Sequence, residues 1–245
     1  MRVTRFASLF AIAALATAAI AATAPAAPII FADFNVDEGT FNLAPNFSGS
    51  SSNVAATSTA DRITSDSFEG AGSQQIVLNH TTPGSATRTR FLSGGGTPAN
   101  NISFTTSAGE DGWIGMALKT TTPGYTAQIW LEGASNNGSI EKAIIADGNW
   151  HIYEWNLDDT SGGPDGWGSI GGILAGVATV ADGNHTIDSV LFRNASAPAT
   201  GTILMDFVAK SESGSIARLL IPEPATLALA GMGLIGLCAA RRRVR

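Results

Sequence analysis

Ser139-Ile140-Glu141-Lys142-Ala143-Ile144-Ile145-Ala146, then Asp147-Gly148-Asn149, then Trp150-His151-Ile152-Tyr153-Glu154-Trp155-Asn156-Leu157 is the stretch whose reading decides the fold. Two apolar segments flank an Asp-Gly step. Glycine reaches positive φ without a Cβ penalty, and Asp hydrogen-bonds the backbone two residues on, so this spacing predicts two strands joined by a tight turn. Upstream, 112–120 and 125–133 predict a second antiparallel pair around Thr121-Thr122-Pro123-Gly124. Segments 74–79, 87–92, 101–106, 186–193 and 201–210 read as further strands, with 28–34 opening the series. Residues 158–182 form a long connection whose apolar part, 170–180, predicts a short helix or an extra strand. Short apolar runs at regular intervals in a Gly/Ser/Thr/Asn-rich chain define an all-β sandwich.

Alternation along these strands sorts the aromatic residues. In 125–132, Tyr125, Ala127, Ile129 and Leu131 make a core-like face, and Thr126, Gln128, Trp130 and Glu132 make the other. In 112–119, Ile114, Met116 and Leu118 face the core and Trp113 lies opposite. If the two strands pair, Trp113 and Trp130 line one platform, and Trp167, in Asp165-Gly166-Trp167-Gly168, caps its edge. Flat rings that stack on the C–H faces of sugars, with Gln128 and Glu132 to take their hydroxyls, are the chemistry of a glycan site. The expected ligand-binding set is therefore Trp113, Gln128, Trp130, Glu132 and Trp167.

The order of features from about residue 31 to 210 resembles the jelly-roll sandwiches of carbohydrate-binding modules. The resemblance rests on Asp33-Phe34 with Asp37-Glu38-Gly39, the strand 150–155, Ile187-Asp188-Ser189-Val190, and Ile203-Leu204-Met205-Asp206-Phe207-Val208. It implies a structural calcium between the first and last strands, and Asp33 and Asp206 are the positions that match. Carboxylate and carbonyl oxygens are what a hard cation takes.

The chain ends supply an address. Pro222-Glu223-Pro224 precedes a sixteen-residue apolar run, 225–240, then Arg241-Arg242-Arg243. At ~1.5 Å per residue the run spans roughly 24 Å, somewhat short of a ~30 Å hydrocarbon core, and the arginines act as a stop signal. This tail is similar to the PEP-CTERM sorting signal. That resemblance implies export, transient inner-membrane anchoring, recognition by an exosortase, and a mature protein at the cell surface or in a biofilm matrix. Residues 1–27 carry Arg2 and Arg5, an apolar stretch and small residues, the pattern of a secretory signal peptide. The expected organisation is a signal peptide (1–27), a jelly-roll β-sandwich (28–215) and a sorting tail (216–245) with a transmembrane helix over 225–240.

Between the ends, 19 acidic residues face 7 basic ones, a formal −12 that excludes nucleic-acid binding through a basic patch. The one cysteine, Cys238, falls in the apolar run, so the sandwich contains no disulfide. Signals of catalysis are poor. His80, His151 and His185 have no metal-binding spacing, and no G-x-S-x-G elbow occurs. The G-x-G-x-x-G match at 166–171 follows a loop instead of a strand. The expectation is a non-catalytic polysaccharide-binding protein. A polysaccharide-degrading hydrolase or lyase, or a purely structural surface protein, is the alternative.

Overall fold

The computed structural model describes residues 26–95, 100–107, 112–133, 137–159, 163–168, 180, 182–212 and 214–220. The sorting tail from 221, nearly all of the predicted signal peptide and all of 170–180 but Val180 lie outside the described residues. In chain order the strands are β1 (Ile29–Ala32), β2 (Thr59–Ile63), β3 (Ser73–Asn79), β4 (Thr87–Leu92), β5 (Ile102–Thr106), β6 (Trp113–Thr120), β7 (Tyr125–Gly133), β8 (Asn137–Ser139), β9 (Lys142–Ala143), β10 (His151–Asn156), β11 (Trp167–Gly168), β12 (Gly183–Asn194) and β13 (Thr200–Ser211). A short helix, α1 (Ile216–Leu220), follows.

The strands form two sheets. Sheet A runs β10-β6-β13-β3-β2, with β1 also paired to β13. Sheet B runs β11-β8-β7-β12-β4, with β5 also on β12 and β9 on β7. Every pairing is antiparallel. Ile114, Met116 and Leu118 of β6 meet Tyr125, Ala127, Ile129 and Leu131 of β7 in one core with Phe41, Phe91, Trp155 and Phe192. The all-β sandwich expected from the sequence is the fold observed.

Both predicted hairpins are corrected. β6 lies in sheet A and β7 in sheet B, so Thr121–Gly124 is a corner between sheets. Likewise β8 and β9 belong to sheet B, whereas β10 pairs with β6, from His151 opposite Leu118 to Asn156 opposite Trp113. The turn chemistry itself is as read: Gly148 has φ 76° and Asp147 Oδ1 accepts the Asn149 amide at 2.8 Å. Alternation requires only that one face be buried, and two strands facing each other across a sandwich satisfy it as well as two side by side. The two corners also meet, since the Gly148 amide donates to Thr120 O at 3.0 Å.

The long strands β12 and β13 are central in their sheets. Each carries a register shift, at Asp188 on β12 and just after Asp206 on β13. An extra residue in one strand re-aims its neighbours. Both shifts place an aspartate.

Candidate functional site

Sheet B gathers three of the five expected ligand residues on its outward face. Tyr125, Ala127, Ile129 and Leu131 enter the core, so Thr126, Gln128, Trp130 and Glu132 stand on the other side of β7. Beside them β12 sets Ser189 opposite Trp130, Leu191 opposite Gln128 and Arg193 opposite Thr126. Strand β4 extends these rows with Leu92, Arg90 and Arg88 in turn. Trp130 packs on Leu191 as a small cluster apart from the main core, and keeps 5% of its surface exposed.

Polar chemistry surrounds this indole. The shift in β12 turns Asp188 onto the same face, where Arg90 grips it with two bonds, Nε to Oδ2 at 2.9 Å and Nη2 to Oδ1 at 2.5 Å. Ser189 Oγ donates to Asp188 Oδ2 at 2.7 Å. Glu132 Oε1 lies 3.8 Å from Arg90 Nη2. Burial, and next the charge of Asp188, push the Glu132 carboxyl above its ordinary value against the pull of Arg90. Gln128 Nε2 donates to Ser139 O at 2.9 Å. The Oε1 of Gln128, the Oγ1 of Thr186 and the Nε of Arg193 are buried without a hydrogen-bond partner among the described residues. Buried polar groups are nearly always paired, so three unpaired atoms on one face mark it as polar surface that the described residues leave unsatisfied.

Trp113 and Trp167 go elsewhere, and the platform is corrected with the hairpin that supported it. Trp113 lies on the outward face of sheet A, with Phe68 and Trp150 against Ala117, Phe207, Ala209 and Ile216. The two tryptophans thus stand on opposite outer faces of the sandwich. Trp167 is fully buried, and its indole N–H donates to Asn156 O at 2.9 Å. A turn in an acidic Gly/Pro loop suggested an exposed edge. Instead the loop folds back, with the Asn156 amide donating to Asp165 O at 2.7 Å, and carries the ring inside.

Arg88, Arg90, Asp188, Thr186 and Arg193 were missed on the outward face. A signal for the arginines existed. Thr87-Arg88-Thr89-Arg90-Phe91 alternates with period two, and Phe91 in the core sends both arginines outward. The sequence held no signal for Asp188, because its direction depends on the register shift.

Asp33 and Asp206 are neighbours, since β1 pairs with β13 through Ala32 and Val208. Each is followed by a phenylalanine in the left-handed region, Phe34 and Phe207, both with φ 51°. Asp206 Oδ2 accepts the amides of Phe68 at 2.8 Å and Glu69 at 3.1 Å, and Oδ1 accepts that of Phe207 at 2.7 Å. Asp33 accepts the Asn35 amide at 3.1 Å and its side-chain amide at 2.9 Å. The nearby carbonyls of Phe34 and Asn35 take the Arg62 guanidinium, each at 2.5 Å. A calcium ion takes six to eight oxygens. Here the oxygens already face N–H donors, and no cluster of three acidic, His or Cys side chains occurs among the described residues. As placed, these residues do not fit the ion; the positive charge beside the carbonyls is Arg62.

Comparison with known proteins supplies the address. Residues 220–243 match the PEP-CTERM protein-sorting motif. The chain therefore carries the signal of an exported protein, and the motif implies processing by an exosortase. Among the described residues no helix is long and apolar enough to cross a membrane. No curated protein matches the chain.

Solved structures with similar architecture include one described under the promiscuous specificity of carbohydrate-binding modules of the β-sandwich superfamily, 10% identical with a TM-score of 0.42, covering 74% of this chain and 62% of that one. Another is the glycoside hydrolase domain of Endo-D from Streptococcus pneumoniae R6, 11% identical with a TM-score of 0.41, covering 67% and 22%. A third is TmCBM61 in complex with β-1,4-galactotriose, 10% identical with a TM-score of 0.37, covering 73% and 97%. The chain thus spans about three-fifths of the first structure and about a fifth of the second. Such identities are too low to carry any residue across.

Proposed function

We propose that this exported protein binds polysaccharide without cleaving it, at the cell surface or in an extracellular matrix, on the outward face of a jelly-roll-type sandwich. The observation that supports it is on sheet B. One indole, Trp130, shares its sheet face with Gln128, Thr186 and Arg193, each with a buried polar atom that has no hydrogen-bond partner among the described residues. Sugars ask for that combination of apolar ring and polar surround. The −12 charge keeps such a protein soluble outside the cell.

Glu132 and Asp188 give the degradative reading its foothold, because sugar hydrolysis uses a pair of carboxyl groups and that of Glu132 is raised by burial. Asp188 is fully buried and held by Arg90 and Ser189, which leaves it no access to a glycosidic bond.

Affinity electrophoresis of the detergent-solubilised full chain through gels containing a panel of polysaccharides tests the proposal. Retardation by at least one polymer is expected, with no reducing sugar released. Trp130→Ala should weaken retention about tenfold, in line with ~1–2 kcal/mol for one aromatic contact. Retention by none of the polymers would overturn the proposal. Sugar release abolished by Glu132→Gln would establish the hydrolase reading instead.

A further inference from the structure

Three of the sandwich's four arginines stand on the outward face of sheet B, in a domain whose formal charge is −12. Arg90 is neutralised there by Asp188 and Glu132. Arg88 and Arg193 are not. They sit directly opposite each other on β4 and β12, and like charges so placed repel. Neither forms an ion pair among the described residues. Arg88 Nε donates to the Ser50 carbonyl at 2.8 Å, and Arg193 Nε is buried with no hydrogen-bond partner among the described residues. Burial and the charges of Arg193 and Arg90 depress the affinity of Arg88 for its proton.

The two guanidinium groups border a groove of about 340 Å³, lined also by Ser52, Thr87, Glu141 and Asn194. Thr126 follows Arg193 across the sheet, and its hydroxyl donates to Glu141 at the rim. Glu141 is thereby engaged and forms no bridge to either arginine within 4 Å.

We infer that Arg88 and Arg193 clasp an oxyanion of an acidic polysaccharide, a uronate carboxylate or a sulfate ester, so that the ligand is an anionic and not a neutral glycan. The inference rests on the polysaccharide-binding reading and names the chemical class of its ligand. A guanidinium offers a planar fork of N–H donors that matches carboxylate and sulfate oxygens, and an anion between the two groups also relieves their repulsion. The groove lies two rows from Trp130 on the same face, so one chain could run from ring to clasp. A strongly acidic domain repels a polyanion at long range. Binding must then be local, through these two side chains, and must weaken as salt screens them.

The full chain in detergent would be titrated against polygalacturonate, a sulfated galactan and neutral dextran, beside Arg88→Gln/Arg193→Gln and Arg88→Lys/Arg193→Lys. Wild type should bind one acidic polymer at least tenfold tighter than dextran, and the polymer that binds tells carboxylate from sulfate. The Gln pair should lose roughly tenfold to a hundredfold, the range for charged hydrogen bonds. The Lys pair should recover part of that. Removing mutual repulsion should leave the melting temperature of the Gln pair unchanged or raised, which separates lost binding from lost folding. Equal binding of dextran and acidic polymers, or a Gln pair that binds like wild type, would overturn the clasp while the general reading stands. Binding to none of the three would overturn the clasp, and retention by no polymer of the wider panel would sink the general reading with it.

Discussion

Asp206 and Arg62 show how much single residues bear at the seam of β1 and β13. The Asp206 carboxyl is fully buried and its pKa is pushed up to about 6, chiefly by desolvation, against the pull of three backbone amides. The sign of its effect on stability follows. The folded state holds this proton more tightly than the unfolded state does, so the contribution is complete below about pH 4 and is lost as pH rises toward 6, by on the order of 3 kcal/mol. Glu132, also raised, acts in the same direction, whereas His80, lowered by burial, acts in the opposite one. Comparing denaturant stability of wild type and Asp206→Asn between pH 4 and 7 isolates the group. The wild-type advantage should shrink across that interval, and a pH-independent difference would show that Asp206 ionises normally. Arg62 works through geometry. Its guanidinium ties the strained turn after Asp33 to β2 by way of Phe34 and Asn35.

At the scale of elements, strands were legible and their partners were not. The sequence predicts β4 and β7 with their observed bounds and places β3, β5, β6, β10, β12 and β13 closely. Strand β2, Thr-Ala-Asp-Arg-Ile, has too few apolar residues to show a period, and only pairing with β3 makes it a strand. Both corners were mistaken for hairpins because turn residues report local φ, and local φ does not say which sheet the next strand joins. Crowding at Gly115 depends on that choice of partner. On β6, next to β10, a Cβ there would come within 2.5 Å of the Tyr153 carbonyl oxygen. Gly115→Ala should therefore destabilise the sandwich by about 1–3 kcal/mol, the usual cost of overpacking, as read from urea midpoints. A neutral substitution would mean that β10 is not held against β6 at this point.

Over the whole molecule, the sandwich and the sorting signal meet without a spacer. α1 lies on sheet A through Ile216, and the sorting motif begins at its last residue, 220. Glu154 on β10 fixes the helix start by accepting the Ile216 amide at 2.6 Å and the Ala217 amide at 3.3 Å, with Ser215 Oγ as a third donor. Glu154→Ala should free this segment and raise the rate of proteolytic nicking at 214–220 about tenfold, as followed by mass spectrometry. An unchanged rate would mean that Ile216 packing alone holds it. By itself the sequence determined the address, the −12 domain, the all-β class, and the faces of β7 that put Gln128, Trp130 and Glu132 together. Those properties follow from composition, contiguous motif and period-two alternation, all of which are local. Only the tertiary structure decided that Trp113 and Trp130 part company, that Trp167 is core, that Asp188 swings outward to Arg90, and that Arg88 meets Arg193. These depend on which distant strands pair and in what register, and no local preference of the chain encodes that.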